Sequence, residues 1–133
     1  MTLFSEATKH PQQVIKKWLL EVLGYMHVYN KEERALRFLE EAVELVQACG
    51  IQRDKALRVL EYVYDRPIGK ASQEIGGAQL TLYALGEALG IDVQSVCVQE
   101  ILRVHKPEVI ERVRSRQEEK LAAFVTSESK ESE

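Results

Sequence analysis

The chain has 133 residues, with 18 Lys and Arg against 21 Asp and Glu, and a net charge of −3. Its 45% hydrophobic and 29% charged residues fit one ordinary globular domain with its own core, and exclude collagen-like, fibrous and wholly disordered chains. The acid excess counts against a nucleic-acid-binding module, and no apolar run approaches the roughly 20 residues of a membrane span.

The opening MTLFSEATKHPQQ has no charged start followed by an apolar block, so no signal peptide is expected and the chain reads as cytoplasmic. Six helices follow. The first starts near Pro11, a residue suited to a first helical position, and fades at Gly24. The second runs from Lys31 to Cys49, with Asn30 as N-cap, Glu33 at the capping-box position and Gly50 as terminator. The third spans Arg53 to Asp65 and is stopped by Pro67 and Gly69. The fourth spans Ala71 to Leu89 and ends at Gly90. The fifth begins after Asp92 and stops before Pro107. The sixth runs from Pro107 to Phe124. No segment alternates with period two for long enough to make a strand. Residues 1–125 therefore read as a single all-α domain, and the polar tail 126–133 as disordered. Cys49 and Cys97 lie far apart in helical contexts and read as small core residues.

On the second helix, Leu36, Phe38, Leu39, Val43, Leu45 and Val46 help cover about half the circumference, the width of a helix buried against more than one neighbour in a bundle. The fourth carries a stripe at Ile75, Ala78, Leu82, Leu85 and Leu89, and the sixth one at Ile110, Val113, Leu121 and Phe124. These stripes read as core. Wide apolar arcs on so small a chain predict that some surface closes against a second copy.

Glu40, Glu41 and Glu44 form a Glu-Glu-x-x-Glu pattern. Glu41 and Glu44, three apart, reach the same side of the helix and can share a hard divalent cation such as Mg²⁺. By itself the pattern is more often a solvated acidic face. Glu74 adds weight, because it lies beside Gly76, Gly77 and Ala78, small residues that let another helix approach. A helix-start acid favoured by the dipole is the competing reading. If the second and fourth helices pack together, Glu41, Glu44 and Glu74 line one site.

EEAVELVQA, followed some thirty residues later by QEIGGAQLTLYALGEALGID, resembles the MazG-like all-α nucleotide pyrophosphohydrolases, over about Gln12 to Gln117. The resemblance implies a helical bundle with a four-helix core, usually a homodimer or homotetramer. It implies Mg²⁺-dependent hydrolysis of a nucleoside triphosphate between the α and β phosphates, with Mn²⁺ as a possible substitute. Glu41, Glu44 and Glu74 would be metal ligands, and Glu40 would orient them or deprotonate the attacking water. The chain departs from the family at Gly77, where the second motif has Asp; Asp65, Glu61 and Glu100 are candidate replacements. That departure supports an alternative: a catalytically weakened module that binds nucleotide or protein.

For the triphosphate, Lys106 is the preferred contact, with Arg103 beside it and Lys70 and Arg34 as further options. Arg112, Arg114 and Arg116 are interleaved with acids and read first as a solvated face. Trp18 is the chosen base contact among aromatics that mostly read as core. GKAS at 69–72 is not a P-loop, the three histidines lack metal-ligand spacing, and no Cys-x-x-Cys or Gly-x-Ser-x-Gly occurs.

Overall fold

The computed structural model describes residues 1–125, so the predicted disordered tail lies outside the described residues. Among the described residues there are eight helices: α1 (Leu3–Lys9), α2 (Pro11–Val22), α3 (Tyr25–Val28), α4 (Lys31–Ala48), α5 (Arg53–Tyr64), α6 (Ala71–Leu89), α7 (Val93–Val104) and α8 (Pro107–Phe124). The fold is all-α, with no strand among the described residues, and no described helix is long and apolar enough to cross a membrane.

The six expected helices fall within a residue or two of their predicted ends. The two additional ones, α1 and α3, are too short for a readable period. In α1 the Thr2 hydroxyl accepts the Ser5 N–H at 3.1 Å, an N-cap that lets seven residues hold a helix, and Ala7 is buried. Four-residue α3 follows Gly24, whose φ of 86° turns the chain after α2.

The predicted start of α4 forms through the Asn30 side chain, whose Oδ1 accepts the Glu33 N–H at 3.1 Å. Its end is a Schellman turn: Gly50 N–H donates to Gln47 O at 2.9 Å and Ile51 N–H to Val46 O at 3.1 Å, with Gly50 left-handed at φ 86°. The end of α6 repeats this at Gly90, φ 68°, with Ile91 N–H on Gly86 O at 2.9 Å. These two glycines sit where an L side chain would be strained.

Contacts divide the chain into two compact units, the boundary falling inside α4 between Arg37 and Phe38. The first unit is Met1–Arg37 with the described residues from Gln94 onward. Its core is Ala7, Val98 and Ile101, flanked by Val14 and Leu102; Val22 and Val109 are also buried. Polar ties join its helices. The Trp18 indole N–H donates to Val104 O at 3.0 Å, and Arg114 of α8 donates from Nε to Val22 O at 3.1 Å and from Nη2 to Glu21 O at 3.4 Å. The guanidinium thus satisfies carbonyls at the C-terminus of α2, where the helix dipole favours a cation.

The second unit is Phe38–Val93, holding the distal part of α4 with α5 and α6. Its one buried residue is Gly86, where a Cβ would collide with the Val93 side chain and lie 3.0 Å from the Ile91 carbonyl. Part of the apolar arc of α4 is open among the described residues: Phe38 is 63% exposed and Val43 49%, while Leu36, Leu45 and Val46 are partly buried. Leu80 and Ile75 of α6 and Val59 of α5 are similarly open. The expected core position of the cysteines is also corrected. Cys49 and Cys97 are free and exposed, the first at the frayed end of α4 beside Gly50, the second about 100° around α7 from buried Val98.

Candidate functional site

Four carboxylates singled out by the sequence lie in the second unit. Glu40, Glu41 and Glu44 sit on the uninterrupted helix α4, with Glu41 and Glu44 exposed and Glu40 half-buried. A three-residue spacing keeps Glu41 and Glu44 on neighbouring positions of one face. Glu74 is exposed in the first turn of α6, where its N–H donates to Lys70 O at 3.0 Å. Its carboxylate folds back over Gly69, so that a Cβ at residue 69 would strike Glu74 Oε1. Gly69 therefore leaves room for the carboxylate to rest over the helix start, where the dipole favours an anion.

Among the described residues, no group of three or more His, Cys, Asp or Glu side chains is arranged to hold a metal within the single chain. The donor chemistry nonetheless suits Mg²⁺, a hard cation that takes carboxylate and water oxygens. At Gly77 the space beside the backbone is open, with nothing among the described residues within 4 Å of an added Cβ.

The predicted substrate contacts lie in the first unit. Lys106 is exposed as the N-cap residue of α8 and uses no side-chain cap hydrogen bond. Arg103 is engaged: its Nε donates to Glu100 Oε2 at 2.9 Å, and its Nη2 pairs with Oε1 at 2.5 Å. That hydrogen bond, aided by the Arg103 charge and opposed by partial burial, holds the Glu100 carboxyl below the usual carboxylate range. Glu100, a candidate substitute ligand, is thus committed to Arg103. Trp18 is half-buried, its N–H taken by Val104 O and its ring tilted 47° to His105 at 6.2 Å between centroids. His105 in turn donates from Nδ1 to Ile101 O at 2.6 Å.

A polar centre that the sequence reading left as a simple capping box lies around Glu33, the one buried charged side chain among the described residues. Its carboxylate accepts from His27 Nδ1 at 2.9 Å, Asn30 Nδ2 at 3.3 Å and Gln117 Nε2 at 3.0 Å. Asn at the N-cap with Glu three residues on was legible. The long-range partner Gln117 was not, because no local spacing links residues on different helices.

No protein-family model, no curated protein and no solved structure matches the chain.

Proposed function

We propose that the chain is a Mg²⁺-dependent nucleoside triphosphate pyrophosphohydrolase, built on a MazG-like four-helix core and working in the cytoplasm as a homodimer or homotetramer. The observation that carries this reading is the placement of exposed Glu41 and Glu44 on one face of continuous α4, with exposed Glu74 opening α6 in the same compact unit. The exposed apolar side chains of α4, α5 and α6 support it as well: they are left open among the described residues, and packing these helices against a second copy would give Glu74 a route to Glu41 and Glu44.

Glu41, Glu44 and Glu74 would hold the metal, Mg²⁺ or Mn²⁺. Bound Mg²⁺ supplies neutralisation of phosphate charge and a lowered pKa for an attacking water. Glu40 would serve as the base for an attacking water, or orient the neighbouring carboxylates. Lys106 and Arg103 contact the phosphates, Arg103 by exchanging Glu100 for substrate, and Trp18 offers its ring face to the base. Products are a nucleoside monophosphate and pyrophosphate.

The test is a turnover panel of the common ribo- and deoxyribonucleoside triphosphates with Mg²⁺ or Mn²⁺, reading monophosphate and pyrophosphate separately. Pyrophosphate release that EDTA abolishes, and that Glu41→Gln and Glu74→Gln each reduce at least about a hundredfold, is expected. Wild-type turnover in both variants overturns the assignment. Gly77 favours a second reading, a nucleotide-binding or protein-interaction module with weakened catalysis. Nucleotide binding without turnover in the panel distinguishes it.

A further inference from the structure

We propose that the carboxylate site is shared between two copies of the chain, Glu41 and Glu44 of one copy being completed by Glu74 of the other. The inference rests on the hydrolase reading for its metal chemistry and adds the source of the third carboxylate.

The first half of α6 carries it. Residues 71–81 are exposed at every position among the described residues, through about three turns of helix. A helix packed against a neighbour buries a stripe, and this stretch has none. Its open side chains include Ile75 and Leu80, about 140° apart around the axis, so cover is lacking on more than one side. Gly76 and Gly77 are poor helix formers, and a stretch that contains them relies on packing for its helicity. Glu74 is the only charged residue in it. Helices α4 and α6 of one chain make no extended contact, and no group of three metal-binding side chains forms among the described residues. Glu74 therefore belongs to a part of α6 whose neighbour comes from elsewhere.

The face around Glu74 suits a close neighbour. Three positions before it, three after and four after stand Ala71, Gly77 and Ala78, all small. On α4, Phe38, Glu41 and Glu44 follow at three-residue spacing and are all exposed. One face is thus shallow with a single carboxylate, and the other carries two carboxylates beside an open ring.

A second copy of the chain is the occupant that serves both faces. Two-fold association uses the same surface on each partner, so α6 of each copy covers α4 of the other and two equal sites form. The apolar side chains left open on α4, α5 and α6 approach the roughly 800 Å² that one protein gives to a stable interface. Three gathered carboxylates repel one another unless a divalent cation lies between them. Association and metal binding therefore strengthen each other.

The experiment uses full-length Glu41→Gln and Glu74→Gln chains carrying different affinity tags, co-expressed so that the mixed dimer is isolated by tandem purification. Mn²⁺ binding is read from the electron paramagnetic resonance signal of the free ion, and association by sedimentation with and without Mn²⁺. Each variant alone is expected to lose at least about tenfold in Mn²⁺ affinity at both sites. In the mixed dimer one site joins intact Glu41 and Glu44 to an intact Glu74, and the other carries both substitutions. One Mn²⁺ site of wild-type affinity per mixed dimer is expected, with about half the wild-type turnover. Mn²⁺ is also expected to tighten wild-type association. If each chain builds its own site, both sites of the mixed dimer are damaged and no full-affinity site returns, which overturns the proposal. Wild-type protein that binds no Mn²⁺ or stays monomeric in saturating Mn²⁺ overturns it too, as do single variants that bind Mn²⁺ like wild type. A restored Mn²⁺ site in a protein that turns over no nucleotide removes the hydrolase reading and leaves the shared site standing.

Discussion

Gln117 of α8 donates a hydrogen bond to Oε2 of Glu33, 3.0 Å away and 84 residues earlier in the chain. This contact closes a network in which one buried carboxylate takes donors from α3, the α4 cap and α8. A buried charge is tolerated only when its acceptors are filled, and here three different segments fill them. Replacing Glu33 with Ala leaves His27, Asn30 and Gln117 without their acceptor and opens a gap. A loss of about 2–4 kcal/mol is expected in urea denaturation followed by far-UV circular dichroism. Gln117→Ala, which removes one donor of three, is expected to cost about 1–2 kcal/mol. If Glu33→Ala unfolds at the wild-type midpoint, the network contributes nothing.

Arg114 sits among charges that the sequence presents as a uniform solvated face, and the structure separates it from them. Its guanidinium reaches the Val22 and Glu21 carbonyls of α2, although Arg114 is itself exposed, as is Arg112 on the same helix. Arg114→Ala is expected to destabilise the fold by about 1–2 kcal/mol, from lost hydrogen bonds at a helix C-terminus. Arg112→Ala is expected to stay within about 0.5 kcal/mol of wild type. Equal effects for the two would show that the α2 cap has no energetic consequence.

Such pairs show what a single sequence makes legible. Helices α2 and α4–α8 were readable because their signals are local: Pro11 at a first position, Asn30 with Glu33, and Gly50 and Gly90 where only a left-handed residue closes the Schellman turn. Side-chain destinations were not readable in the same way. Trp18 is committed to Val104 and Arg103 to Glu100, and only the second pair lies within one helical turn. The apolar arc of α4 was legible as a face needing cover, but periodicity does not say whether the cover comes from the same chain. The cysteines were misplaced for the same reason, since a thiol's apolar character sets no side of the helix. At the candidate site, the helical placement of Glu41, Glu44 and Glu74 follows from local spacing, whereas whether they converge depends on packing between segments that no spacing encodes.

The pairing of Glu100 with Arg103 gives a signed pH dependence. The folded carboxyl is held below its ordinary range, so its contribution is present above the unfolded carboxylate pKa and is lost as pH falls through that value toward the folded one. Both side chains are half-exposed, so solvent screening keeps the effect small. In Glu100→Gln, the drop in urea midpoint between about pH 7 and about pH 3 is expected to be shallower than in wild type. A steeper acid limb in the variant would reverse the sign assigned to the pair.

Gly77 occupies the interior of α6 with open space beside it and no positive φ, so nothing in the chain requires a glycine there. Gly77→Ala is expected to raise folding stability by up to about 1 kcal/mol through helix propensity. Gly77→Asp adds a carboxylate one helical turn after Glu74, and is expected to tighten Mg²⁺ binding and to raise pyrophosphate release. Calorimetric Mg²⁺ titration of wild type and variant reads the first effect directly. Unchanged Mg²⁺ affinity would mean that position 77 does not face the metal.

Leu80 on α6 and Val59 on α5 are 67% and 60% exposed, in a unit whose large apolar side chains are all at least partly open. With Phe38, Val43 and Ile75 they leave roughly 600 Å² of surface, the upper end of what a soluble monomer carries as one patch. Exposed Leu57, Tyr62 and Tyr64 of the same unit add to it, toward the about 800 Å² or more that one protein contributes to a stable interface. Wild-type protein is therefore expected to sediment as a dimer or tetramer. Leu80→Glu and Val59→Glu would each bring a carboxylate into that interface, at a cost of several kcal/mol if it is buried unpaired. Both variants are expected to shift to the monomer mass by analytical ultracentrifugation, with helicity falling because the second unit then loses its cover. A wild-type monomer at micromolar concentration that keeps the full helical signal would show that these helices stand without a second copy.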